Sequence, residues 1–273
     1  KKRTYIGFGV FIVSQFGMLL LFRNTDWRIH AGELLTANGY SAPAYLSALT
    51  VALVLLVPEL GLLLPLYVTL IGGDLVAKEA EEGTLRLVLA RPISRVRLLL
   101  VKWLAGAAYT VVLVLVLGAV SLAFARLFFP WGGMFVAFQP PPELELPSVQ
   151  PVFSLFSAHH GLMLYLISHG LIAFNTVTFM SLAFMFSCFN MKPTAATILA
   201  LSFGFASSVL QNIPFFARYQ SWFITYHLQS WFWVYQQPTP WWQIVQSEVI
   251  LLATTATAIV VGAWGFQVRD LKS

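Results

Sequence analysis

Six long apolar runs, separated by short polar stretches, constrain this chain more than any other feature. They read approximately 5–22, 51–72, 104–124, 162–189, 195–209 and 245–266. A helix needs roughly 20 mainly apolar residues to cross the hydrocarbon core of a bilayer, and the longer runs meet that length. Charged residues are only 10% of the 273 residues, while hydrophobic residues are 58%. Soluble domains carry about 25% charged residues. With 16 basic and 11 acidic residues, a soluble fold could not cover its surface while burying this much apolar side chain. A soluble globular enzyme, a disordered chain and a nucleic-acid-binding domain are excluded. The expectation is an all-α polytopic membrane protein with six transmembrane helices in a single domain over 1–273.

The net charge of +5 fits basic residues gathered on cytoplasmic loops. If the N-terminus is cytoplasmic, Lys1, Lys2, Arg3, Lys78, Arg86, Arg91, Arg95, Arg97, Lys102, Lys192, Arg269 and Lys272 lie inside. Arg23, Arg28, Arg126 and Arg218 then lie outside. The bias predicts both termini cytoplasmic in a cell inner membrane. Lys1-Lys2-Arg3 before the first run reads as a retained signal anchor. Cys188 is the one cysteine, which excludes an intrachain disulfide and reads as a small apolar filler.

Charge is densest from Asp74 to Lys102. Gly83 breaks a first helical piece, and Thr84 is placed to cap a second. Leu85, Val88 and Leu89 then share one face at i, i+3 and i+4. Pro92 ends this piece, and Ser94 caps the third span. The acids Asp74, Glu79, Glu81 and Glu82 oppose simple adsorption to an anionic leaflet, so a protein groove suits the short amphipathic helix better than lipid.

The pattern Asp74…Glu79…Glu82-Gly83-Thr84-Leu85…Pro92-Ile93-Ser94-Arg95 after a second span resembles the ABC-2 family of transporter permeases, as does the closing Phe266…Arg269-Asp270-Leu271. The resemblance implies a permease subunit of an ABC transporter that exports a substrate, working as a homodimer with a separate cytoplasmic ATPase that binds the ATP and Mg. It implies a coupling helix between spans two and three, with Glu79, Glu82, Gly83, Thr84, Leu85, Arg86, Pro92 and Ser94 as coupling residues. Interfacial or re-entrant helices would lie between spans five and six. The family's N-terminal elbow helix is shortened or missing here. The chain has no phosphate-binding Gly-x-x-x-x-Gly-Lys-Ser/Thr loop and is not itself an enzyme. It carries no cofactor and no metal centre of its own.

Intramembrane ionisable groups are functional candidates. Glu59 lies fifteen residues before Asp74, about 22 Å along a helix. It shares the outer level with His159, His160, His169 and Glu248, where hydrated interface residues are the plainest reading. Glu59 is also a candidate for the translocation path. The aromatic segment 214–242 reads as an interfacial belt or, with Phe215, Phe216, Trp222 and Phe223, as a gate. The loop from about 128 to 158 carries Glu143 and Glu145 and suits contact with an extracytoplasmic accessory protein. The competing classes are an ion-coupled secondary transporter and an intramembrane enzyme, each built on Glu59 and His169.

Overall fold

The computed structural model describes residues 2–24, 26–85, 94–138 and 152–268. These are mostly helical. Helix α1 spans Lys2–Asn24, α2 Trp27–Ala37 and α3 Ala42–Tyr45. Helix α4 spans Ala48–Glu81, α5 Arg95–Phe128, α6 Ala158–Cys188 and α7 Pro193–Gln211. After a 3-10 segment, Pro214–Trp222, come the single turns α8 (Ile224–His227) and α9 (Ser230–Trp233), then α10 (Trp241–Val268). Five described helices, α4, α5, α6, α7 and α10, are long and apolar enough to cross a membrane; the apolar part of α1, Gly7–Phe22, is shorter.

The structure corrects the expected layout at several points. The second apolar run contains Pro58 and Pro65, residues expected to break a helix, yet the span does not end at either. Instead, α4 widens into a π-helical turn over Glu59–Leu63 and continues. A proline removes only its own N–H and crowds the preceding turn, and a π turn absorbs this by adding one residue. The buried face steps through Ala52, Leu55, Leu56 and Glu59, then skips five positions to Leu64 before resuming at Val68, Gly72 and Val76. The buried positions thus keep an α-helical spacing up to Glu59 and again from Leu64. The all-α membrane fold is consistent with the mostly helical chain, to which one small hairpin is added: β1 (Met134–Phe138) pairs antiparallel with β2 (Val152–Phe156), Met134 opposite Phe156. The polar stretch after α1 holds α2. Helices α5 and α6 run 34 and 31 residues, beyond the roughly 20 that a bilayer requires.

The chain forms two compact units. One comprises 1–59, 116–169 and 232–240. In it, Thr50 Oγ1 donates to Tyr45 O (2.7 Å) and accepts from Phe135 N (2.8 Å), while Ser47 Oγ caps α4 by accepting from Leu49 N. These bonds fasten the hairpin to the start of α4. Ala31, Leu35, Leu46 and Phe135 form a core beneath it, with Tyr45, Phe153 and Leu155 packed around. Alternate residues of a strand face opposite sides, so Phe135 and its neighbour Phe153 can both reach this core, their rings 5.7 Å apart.

The other unit comprises 60–115, 170–231 and 241–273. Its helices meet through small residues. A Cβ on Gly72 would collide with the backbone of Met180 and Phe184, and one on Gly73 with Thr197 and the Pro193 carbonyl. Gly262 packs on Cys188 and Gly265 on the Phe189 ring. Lipid tails are as apolar as leucine, so helices in a bilayer associate by close packing and interhelical hydrogen bonds. Thr197 Oγ1 to Thr69 O, Trp103 Nε1 to Ser181 Oγ (2.8 Å) and Thr255 Oγ1 to Thr178 Oγ1 (3.0 Å) supply such bonds. Exposed apolar side chains such as Phe205 and Val260 face outward.

The Gly72 contact yields a direct test. Gly72→Ala forces a methyl into backbone atoms that cannot yield as a flexible side chain would. It should lower stability by about 1–3 kcal/mol, read as a lower unfolding midpoint in detergent. Gly61→Ala, with open space around it, is the control.

Candidate functional site

The charged end of the second unit is held by side chains that reach across helix termini. Lys102, near the start of α5, pairs with Glu79 at 2.5 Å and donates to Leu75 O at 3.1 Å. Lys78 and Asp74 form an i,i+4 pair at 3.8 Å. Arg95 donates to the carbonyls of Phe266 (3.4 Å) and Gln267 (3.2 Å). A cation there complements the free carbonyls and negative dipole of a helix C-terminus. Ser94 Oγ accepts from Arg97 N and caps α5. The ends of α4 and α10 are thereby tied to the beginning of α5.

The predicted coupling residues divide within this arrangement. The first charged helical piece is the uninterrupted end of α4, which closes at Gly83 with φ +73°. Glycine adopts this left-handed conformation without the Cβ penalty. The Thr84 hydroxyl donates back to Glu79 O at 3.3 Å; the helical piece it was expected to cap lies outside the described residues. Glu79 is occupied by Lys102, whereas Glu81, Glu82, Gly83 and Thr84 form an exposed tip and Leu85 is buried. Arg86, Val88, Leu89, Pro92 and Ile93 lie outside the described residues.

At the opposite end of the same unit, polar side chains anchor the aromatic segment. Gln211 Oε1 accepts from Thr225 Oγ1 (2.7 Å). His227 Nε2 bonds Ser221 O and Nδ1 bonds Ser247 Oγ, both at 2.9 Å. Because the carbonyl only accepts, Nε2 carries the proton and Nδ1 accepts from the serine. Asn175 Nδ2 donates to Leu228 O and Ser230 Oγ, and Ser230 Oγ donates to Glu248 Oε1 at 2.6 Å. Glu248 is half-buried, and among the described residues its Oε2 has no hydrogen-bond partner. Phe215 and Trp222 point outward, 79% and 81% exposed. Phe216 is half-buried and stacks edge-on against Phe215 and Phe223, while Trp222 stacks on Tyr219.

In the first unit, Glu59 is 1% exposed, which overturns its reading as a hydrated group. Gln15 Nε2 on α1 donates to Glu59 Oε2 (3.1 Å) and to Leu117 O (3.2 Å). On the next residue of α5, Gly118 O accepts from Tyr165 Oη at 2.9 Å. The His169 ring occupies the space that a Cβ on Gly118 would need, and its Nδ1 lies 2.6 Å from Tyr165 O. Ser168 Oγ donates to Tyr165 O and contacts Tyr235 Oη at 2.7 Å. By contrast, His159 and His160 are exposed at the start of α6. Among the described residues no group of three or more His, Cys, Asp or Glu side chains could hold a metal ion.

Gln15, Asn175, Ser230 and His227 were not singled out from the sequence. Gln15 carried one usable signal, as a polar residue inside the first apolar run. The others acquire meaning only from partners 6 to 55 positions away.

These features define a polytopic helical membrane protein with polar clusters buried among its helices. A family model described as "Protein of unknown function (DUF2705)" matches residues 36–271. The chain belongs to that family. No curated protein matches it.

Two measurements probe these clusters. Lys102→Met strands Glu79 and Leu75 O and should lower stability by about 1–3 kcal/mol in chemical or thermal unfolding. His227 lies outside the long apolar helices; burial holds its imidazole below the ordinary 6.5, partly offset by the bond to Ser221. The unfolded chain then binds the proton first as pH falls through 6.5, so acidification destabilises the native state. Unfolding midpoints measured from neutral to mildly acid pH should fall more steeply for the wild type than for His227→Gln.

Proposed function

We propose that this chain is the permease subunit of an ABC-2 type exporter, powered by a separate cytoplasmic ATPase. Helix α1 serves as the first of six spans, both termini face the cytoplasm, and a second copy completes the pathway in a cell inner membrane. The observation that carries the reading is the continuity of α4 from its apolar run into the exposed tip at Glu81–Thr84, braced by the Lys102–Glu79 pair. A motor that moved this tip would act on a spanning helix directly. The brace would pass the displacement to α5, and Arg95 would pass it to α10.

In this mechanism the tip residues Glu81, Glu82, Gly83 and Thr84, with Leu85, form the docking surface, joined by Arg86 and Pro92. Glu79 and Ser94 hold the surface in place rather than contact the motor. The aromatic segment from Phe215 to Phe223 lies at the outer interface. Its exposed Phe215 and Trp222 face lipid or the second copy. ATP and Mg are handled by the partner; this chain transmits motion.

Affinity purification of the full chain from its native membrane should recover a nucleotide-binding ATPase. Charge reversal at the tip, Glu81→Lys with Glu82→Lys, should reduce recovery at least tenfold while leaving helical content unchanged. A chain that purifies without any ATPase, or a tip variant that retains it fully, overturns the proposal.

A further inference from the structure

The buried pair Gln15–Glu59 has no role in the coupling mechanism, and it is incompletely satisfied. Glu59 is 1% exposed and Gln15 is fully buried. Glu59 Oε1 and Gln15 Oε1 each lack a hydrogen-bond partner. Ser14 lies beside the carboxyl but does not complete a bond to Oε1. The Gln15 amide cannot turn its oxygen toward a donor without loss, because its nitrogen serves both Glu59 Oε2 and Leu117 O. His169 Nε2 is a third unpartnered atom in this unit. Its Nδ1 faces a carbonyl, so Nε2 carries a lone pair. All three unmet atoms are acceptors.

Unmet buried acceptors call for a donor or a positive charge. An ionised carboxylate in an apolar interior is expensive without a counter-charge, and among the described residues no Lys or Arg pairs with Glu59. The neighbouring elements offer only neutral or weakly titrating groups: Ser14 and Gln15 on α1, Leu117 O and Ser121 on α5, and Tyr165 and His169 on α6. One carboxylate balances one positive charge. A divalent ion would leave an excess charge in the same apolar surroundings. Carboxylate and amide oxygens are hard ligands suited to a proton or an alkali cation rather than to a soft metal. The π turn begins at Glu59, and such turns recur at functional sites.

We propose that Glu59 and Gln15 form an intramembrane site for a single monovalent cation, either a proton carried on Glu59 or a sodium ion held between the two unmet oxygens. The site is independent of the ATPase reading and would serve a permease of any coupling class.

The test uses the full chain in lipid nanodiscs. If sodium is the occupant, replacing choline chloride by sodium chloride raises the unfolding midpoint. The rise is roughly 5 °C at sodium about 100-fold above its Kd, is abolished in Glu59→Gln and is reduced in Gln15→Leu. If a proton is the occupant, sodium has no effect, and infrared spectra at neutral pH show a protonated carboxyl band that is absent in Glu59→Gln and retained in Glu248→Gln. Either pattern supports the site and identifies its occupant. A wild-type protein with neither a sodium-dependent midpoint nor a protonated carboxyl band overturns it, whether or not the variants fold.

Discussion

Helix α4 has to run through 34 residues that contain two prolines, and the wide turn at Glu59–Leu63 is what makes this possible. The inserted residue moves the next buried position to Leu64. Gly72 and Gly73 then meet the backbones of α6 and α7, and Asp74 to Glu81 follow at the end of the same rod. Glu59, at the start of the turn, is placed inside rather than toward lipid or water. The close helix contacts and the charged tip both follow from the helix continuing past its prolines.

Close packing and polar bonding divide the work of holding the helices together. Association in a bilayer gains little from burying apolar surface. Glycines therefore appear where backbones approach, at Gly72, Gly73 and Gly262, and where the Phe189 ring packs on Gly265. Hydroxyls and amides bridge the remaining gaps, as in Thr255–Thr178 and Asn175–Ser230–Glu248. In both units a carboxylate retains an unmet oxygen beside an amide with another: Glu59 with Gln15, and Glu248 with Asn175. Such atoms are unusual in a satisfied interior. Among the described residues the other such atoms are His169 Nε2 and the Thr110 hydroxyl.

Much of the helical plan was legible in advance because it follows from run length. The runs beginning near 51, 104, 162, 195 and 245 all became long helices, with ends displaced by up to nine residues where a helix continues past its apolar part, as α5 does by starting at Arg95. The strands 134–138 and 152–156 were not legible, because their pairing depends on contacts with Tyr45 and Thr50 rather than on local alternation. The charged segment was recognisable from density of charge, but not the division of labour within it. Glu79 and Glu82 look alike in sequence; one meets Lys102 and the other meets solvent.

By itself, the amino-acid sequence determined that this chain inhabits a membrane, since 58% hydrophobic residues in long runs leave no soluble alternative. It also determined where charge concentrates and that no nucleotide loop accompanies it. Tertiary structure alone decided which polar residues meet. Gln15 finds Glu59 across 44 positions and Leu117 across 102, and no local periodicity encodes those distances. The reason is physical: apolar runs are set by transfer to lipid, residue by residue, whereas a buried hydrogen bond exists only when two helices are brought into register.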